Sequence, residues 1–209
     1  MTYIYIYRMT NDTGSAPCIF EKGYNKTDLL SLACCKGGQI RKGKDVETGL
    51  RHTIGKRHKD KKDEVYVMGI YKDYVLYAAK ISEIISMEEY YSNNNYSNRL
   101  DYIYNSKKER NKNNPLFHPE GDGSQLRRDW NGVYVLLSDN FSYNGEGYTE
   151  YSAEKIKNFL PVRQETKGYD NNSDGFNTVF DFLSEVIKTG SRNNSVEILK
   201  MGCKGCYQK

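Results

Sequence analysis

The chain has 209 residues, a formal net charge of +4 and 19 tyrosines. That length can bury one substantial core, so a single domain over 1–209 is expected. Its mean hydropathy of −0.81 and the lack of any long apolar run exclude a membrane-spanning helix, and cytoplasmic residence is the expectation.

Taken in order, Tyr3 to Tyr7 alternates and is rich in β-formers, which predicts a strand. Asp12-Thr13-Gly14-Ser15-Ala16-Pro17-Cys18 predicts an irregular turn. Asn25-Lys26-Thr27-Asp28 reads as a helix start, and Leu29 to Cys34 as a short helix ended by Gly37-Gly38. Gly43, Gly49 and Gly55 predict that the basic insert 36–62 is irregular. Val65 to Ile70, the turn at Lys72-Asp73 and Tyr74 to Ile81 predict a hairpin. Ser86-Met87-Glu88-Glu89 fits a capping box ahead of a short helix.

Residues 92–129, rich in Asn, Tyr and Lys, predict a long loop. Gly132 to Ser138 predicts a central strand, extended by Phe141 to Tyr143. Ser152 caps a predicted helix from Ala153 to Phe159. After Asp174-Gly175, residues Phe176, Val179, Phe180, Leu183, Val186 and Ile187 share one helical stripe that stops at Gly190. Val196 to Met201 is a candidate last strand before a CxxC tail at 200–209. Strands mixed with short helices predict α+β architecture, with a small, mostly antiparallel sheet or an open barrel. Neither a GxGxxG nor a GxxxxGK[ST] stretch is present.

Charge is uneven. From Lys36 to Lys62 there are ten Lys or Arg against three Asp or Glu, a local +7 within the total of +4. Such a segment suits phosphate, from a nucleotide or from nucleic acid, or else an acidic protein partner. The five cysteines are odd in number, which argues against a disulfide framework.

The order of motifs resembles the nucleotide modification associated domain 2 family. The matching positions are Asp12, Gly14, Ala16 and Pro17; Leu32, Ala33, Cys35 and Lys36; Ile40 and Arg41; Gly69; Tyr77, Ala78, Lys80 and Glu83; Glu89 and Tyr90; and Leu136 to Asp139 with Phe141, Tyr143 and Gly145. The chain departs from the family pattern at Gly37, where Pro is usual, and at Lys62-Asp63-Glu64, where Gly-Asp-Trp is common. The resemblance implies a role in systems that make or handle modified DNA bases, mainly in phages and bacteria. The hairpin order is also similar to PUA and EVE barrels, which hold a base in a cleft.

These readings converge on a nucleotide- or nucleobase-binding protein of a DNA-modification or phage-conflict system. Asp12 either caps nearby backbone amides or accepts a hydrogen bond from substrate. Gly14, Lys36, Arg41, Arg127 and Trp130 are the candidate nucleotide-binding residues, the cations for phosphate and the ring for stacking. Tyr7, Phe20 and Tyr24 are further candidate rings. The alternative is an enzyme transferring a group to or from a base, with Cys35 as nucleophile and Asp12 or His118 carrying protons. Cys35 is otherwise a buried structural thiol. Cys203 and Cys206 form half of a candidate structural zinc site, which Cys18, Cys34, Cys35 or a histidine would complete.

Overall fold

The structure, a computed structural model, describes residues 1–9, 16–23, 25–41, 44–46, 49–111, 114, 124–163 and 165–191, with backbone alone at 39–41, 44–46, 124–125 and 146–147. In chain order the strands are β1 (Thr2–Met9), β2 (Cys18–Phe20), β3 (Lys26–Leu32), β4 (Gln39–Arg41), β5 (Lys44–Val46), β6 (Glu64–Tyr71), β7 (Tyr74–Ile81), β8 (Glu83–Ser86), β9 (Tyr134–Ser138), β10 (Asn140–Tyr143) and β11 (Thr166–Asp170). The helices are α1 (Leu50–His58), α2 (Met87–Ser92), α3 (Ser124–Trp130) and α4 (Phe176–Thr189). Short 3-10 turns cover Asn94–Tyr96, Gly145–Glu150 and Glu154–Phe159. The architecture is α+β, and neither main strand order closes into a barrel among the described residues. No described helix is long and apolar enough to cross a membrane.

Two compact units share the chain. One draws on the described residues of 1–12, 62–82 and 138–196. It holds a five-stranded sheet in the order β10-β7-β6-β1-β11. Only β1 and β6 run parallel; the other pairs are antiparallel. The predicted hairpin is β6–β7, with Tyr71 opposite Tyr74 and Lys72 at φ 56. A two-residue turn of this kind needs positive φ to match strand twist. The Arg8 guanidinium donates to the carbonyls of Lys72 and Pro161, both at 2.5 Å. The stripe read from sequence forms α4. Its Phe176, Val179, Leu183 and Val186 pack on Ile4, Ile6, Tyr66, Met68 and Ala78.

The other unit draws on the described residues of 13–61 and 83–137. Its four-stranded sheet has the order β2-β3-β9-β8, and β4 and β5 form a separate ribbon. The central placement predicted for Gly132 to Ser138 holds for β9. Phe141 to Tyr143 does not extend that strand; it becomes β10, on the five-stranded sheet. The capping box holds too: Glu89 N–H donates to Ser86 Oγ at 3.0 Å, and Ser86 N–H to Glu89 Oε2 at 2.6 Å.

Two expectations change. The stretch predicted as a helix over Leu29 to Cys34 is strand β3 and its exit. β3 is paired along both edges, and its successive residues Leu30, Ser31 and Leu32, which point to alternate faces, are all buried. A strand covered on both sides reads as an unbroken apolar run, which periodicity cannot tell from a helix. The basic insert is not wholly irregular, because it contains α1. There Arg51, His52 and His58 are buried beside Leu50 and Ile54, so no simple apolar stripe marks the inner face. Lys56, Arg57 and His58 in the last turn complement the negative end of the helix dipole. The long-loop reading of 92–129 is interrupted by the turn at 94–96 and by α3.

Candidate functional site

Strand β3 ends at Leu32, and the chain then enters a tight turn. Cys35 has φ 54 and Lys36 has φ 48. Two successive non-glycine residues in the left-handed region cost about 1–3 kcal/mol each, and such strain persists only where the surroundings over-determine it. Those surroundings are α3 and α1. Cys35 N–H donates to Asp129 Oδ1 at 2.9 Å, and Tyr104 Oη donates to Asp129 Oδ2 at 2.7 Å. Asp129 is fully buried. Its carboxylate thus meets the turn at the Cys35 N–H, a backbone donor that favours an anion.

Arg51 closes the turn from the other side. Its guanidinium is fully buried and donates to the carbonyls of Cys35 (2.7 Å), Tyr134 and Asp129 (2.6 Å). Arg51 N–H also donates to the Lys36 carbonyl at 3.1 Å. The cation that sequence reading counted toward phosphate contact thus serves the protein's own carbonyls.

The thiols differ in setting. Cys34 is buried, whereas Cys35 is half-exposed. A hydrogen bond with the Cys35 side chain, together with burial, pushes the Cys34 thiol well above its ordinary value. Burial likewise pushes Cys18 up to about 12. Cys35 follows a strand, not the helix expected before it. Lys36 is half-buried, and desolvation lowers its ammonium below the usual lysine value.

On the far side of Asp129 stands Trp130. Its ring lies 5.8 Å from Tyr91 and 6.0 Å from Tyr104, and Lys108 Nζ sits 5.0 Å over its centroid. Lys108 is itself paired with Glu88 at 3.5 Å and is more than half exposed. Trp130 Nε1 and the neighbouring Asn131 Nδ2 are buried donors with no acceptor among the described residues. Arg127 and Arg128 are exposed on the same helix.

Beneath this cluster lies a second buried charge. Arg99 Nε is 3.5 Å from Asp101 Oδ1, and both side chains are buried. Asp101 also accepts from Ser31 Oγ at 2.5 Å and Tyr90 Oη at 2.7 Å. Arg99 donates to the carbonyls of Cys18 and Leu29 and to Thr27 Oγ1. Burial raises the Asp101 carboxyl, while Arg99 and the two hydroxyl donors pull the other way. This network ties β2, β3 and α2 together.

Of the candidate residues, the structure brings Cys35 and Lys36 against the α3 stretch that carries Arg127 and Trp130. β4, with Arg41 at its end, lies beside α3. Asp12, Gly14, His118, Cys203 and Cys206 lie outside the described residues, as do Tyr24 and the candidate strand at 196–201. Phe20 is buried, and Tyr7 is buried accepting a hydrogen bond from Tyr77 Oη at 2.8 Å, so neither ring is open for stacking. Among the described residues no group of three His, Cys, Asp or Glu is arranged to hold a metal. Sequence reading passed over Arg51, Lys108, Asp129 and Asn131. The one usable signal was the Asp129 carboxyl inside Arg127-Arg128-Asp129-Trp130, an acid flanked by bases before a buried strand.

The family model of nucleotide modification associated domain 2 matches residues 1–199. The chain belongs to this family. No curated protein matches it, and no solved structure does. Membership associates this nucleotide modification associated domain 2 protein with nucleotide-modification systems. At the position where proline is usual, this member has a geometric reason for Gly37. A Cβ there would lie 2.7 Å from both Arg51 Nη2 and the Asp129 carbonyl oxygen. Gly132 has a similar role, since a Cβ there would fall 2.6 Å from the Arg51 guanidinium carbon and 2.7 Å from Gly37 Cα.

Proposed function

We propose that this protein binds a nucleotide or modified nucleobase in a DNA base-modification or phage-conflict system in the cytoplasm. The ligand lies along the Cys35–Lys36 turn and the end of α3. The observation that carries this reading is the pair of orphan donors, Trp130 Nε1 and Asn131 Nδ2, on neighbouring residues beside the strained turn. Each unmet buried donor costs about 1–3 kcal/mol. A base offers carbonyl and ring-nitrogen acceptors, and a phosphate offers more, so either repays that cost. Lys36 contacts phosphate, the exposed Arg127 and Arg128 of α3 add positive charge, and Arg41, Asp12 and Gly14 are kept as further candidate ligand residues. A base stacking on Trp130 displaces the exposed Lys108 ammonium, which then supplies another cation to the ligand.

A second reading keeps the same site and makes Cys35 a nucleophile that transfers a group to or from the base. It is favoured by one feature: Cys35 is the half-exposed thiol, held at φ 54. Asp12 or His118 then carries the proton. Cys35→Ser separates the readings, since turnover disappears in an enzyme while affinity survives in a binder.

A thermal-shift panel of nucleotides and modified nucleosides tests the proposal. A ligand present at a hundred times its Kd stabilises by about 2.7 kcal/mol. One ligand class raises the melting temperature of the wild type, and Lys36→Ala with Asn131→Ala abolishes the shift. Unchanged melting across the whole panel contradicts binding at this site.

A further inference from the structure

Strand β11 forms one end of the five-stranded sheet, and among the described residues only β1 pairs with it. Its Thr166, Lys167 and Gly168 are all exposed. Other sheet edges are met by more of the chain. At the far end of the same sheet, Tyr143 N–H in β10 donates to the Ser191 carbonyl at 2.7 Å, and Ser191 N–H to Asn144 Oδ1 at 3.2 Å. In the four-stranded sheet, Leu100 N–H donates to the Phe20 carbonyl of β2 at 2.9 Å. A bare edge turns a row of backbone donors and acceptors outward, and that row is a template for another strand. Val162, 85% exposed, lies four residues ahead of Thr166, so apolar surface is also left uncovered close to this edge in the chain.

We infer that the β11 edge pairs antiparallel with the β11 edge of a second copy of this chain, about a two-fold axis at Gly168, so that two five-stranded sheets join into one. Register and charge argue for this occupant. An edge that meets itself about a two-fold axis gives a closed dimer in which the same patch serves both copies. Facing residues of an antiparallel pair either both hydrogen-bond to each other or both do not. Along one edge those two kinds alternate, so facing positions differ by zero, two or four. Centred on Gly168, all five strand residues pair: Thr166 with Asp170, Lys167 with Tyr169, and Gly168 with its own copy. Centred on Lys167, two ammonium groups would face each other, which is destabilising. Centred on Tyr169, Thr166 and Lys167 would face residues beyond the end of the strand.

In the Gly168 register no like charges are directly opposed. The Thr166 hydroxyl of one copy faces the Asp170 carboxylate of the other. Lys167, whose ammonium lies 5.3 Å over its own Tyr169 ring, faces a second such ring. Lysine commonly guards an edge against pairing; at this position it selects one register. The strand is short, so the dimer is weak and forms only as concentration rises. β11 and the Cys35 turn belong to different units, so this inference does not rest on nucleotide binding.

Sedimentation equilibrium of the full chain at rising concentration tests it, with reversible passage from monomer to dimer expected for the wild type. A Cβ at Gly168 would meet only Tyr5, at 3.4 and 3.6 Å, so side chains at this position suit the single chain. Gly168→Ala keeps the dimer. Gly168→Asp sets two carboxylates together at the axis and weakens association at least about tenfold, with circular dichroism unchanged. Under mild oxidation Gly168→Cys links two chains through position 168, as peptide mapping reads, whereas Lys167→Cys gives no link from 167 to 167. A wild type that stays monomeric up to its solubility limit overturns the inference, whatever the variants do to folding. So does a dimer that Gly168→Asp leaves as strong, or a link that forms through 167 and not through 168.

Discussion

In the unit built on β1, β6 and β7, an amphipathic helix closes over an apolar sheet face. Leu183 and Val179 meet Ile4, Ile6 and Met68, and among the described residues of this unit no charged side chain is buried. In the unit that carries Cys35, the interior is built around Arg51, Arg99, Asp101 and Asp129, all buried and all hydrogen-bonded. The first interior follows from area removed from water. The second does not, because a buried, satisfied ion pair adds little net stability over apolar residues of the same volume. Its consequence is geometric. Arg51 and Asp129 fix the carbonyl and N–H of Cys35, and so hold a strained turn that apolar packing would let relax.

The difference predicts unequal responses to mutation. The largest belongs to Asp101→Ala, which leaves the Arg99 guanidinium buried without its carboxylate. Urea unfolding should show a loss of about 3–5 kcal/mol. Replacing Arg99 and Asp101 together by Met and Leu should recover most of it, which would confirm that the pair specifies geometry more than stability. Leu183→Ala in the apolar unit should cost about 2–5 kcal/mol through the cavity it leaves, while Leu183→Met stays under about 1.5. Equal recovery in both units would erase the contrast.

Smaller effects sharpen it further. Ser86→Ala removes one arm of the capping box on α2 and should cost about 1 kcal/mol in the same unfolding assay. The weakest response is expected at Glu64 and Lys80, exposed side chains 2.5 Å apart on the neighbouring strands β6 and β7. The hydrogen bond from Lys80 holds the Glu64 carboxyl below its ordinary value. A carboxyl whose folded value is depressed stabilises above the unfolded value and loses that contribution as pH falls through the folded one. Melting curves of Lys80→Met should therefore fall slightly below wild type near neutrality and merge with it in acid. Because both groups are exposed, added salt should shrink the gap.

The parts of this fold legible in the sequence are the ones written in local pattern. The β6–β7 hairpin, the Ser86 capping box and the stripe of α4 each depend on residues close in the chain. What was hidden depends on partners far away. Leu29 to Cys34 has good helix formers, yet it forms the end of β3 and its exit, with Leu30, Ser31 and Leu32 all buried. α1 escaped because its inner face includes Arg51 and two histidines instead of a run of aliphatics. At the site, Cys35, Lys36 and Trp130 stood out through residue type and family resemblance. Asn131 carries no pattern of its own, and nothing in a Cys-Lys pair announces two left-handed residues. Arg51 was legible only as one base among ten.

Trp130 is the only tryptophan in the chain, so its emission reads the proposed site directly. Titrating the wild type with the nucleotide or nucleoside that gives the largest thermal shift should produce a saturable change in Trp130 fluorescence. Lys36→Ala should weaken the apparent affinity at least about tenfold, a loss of about 1.4 kcal/mol. A thermal shift with no change in Trp130 emission would place the ligand elsewhere and contradict the account.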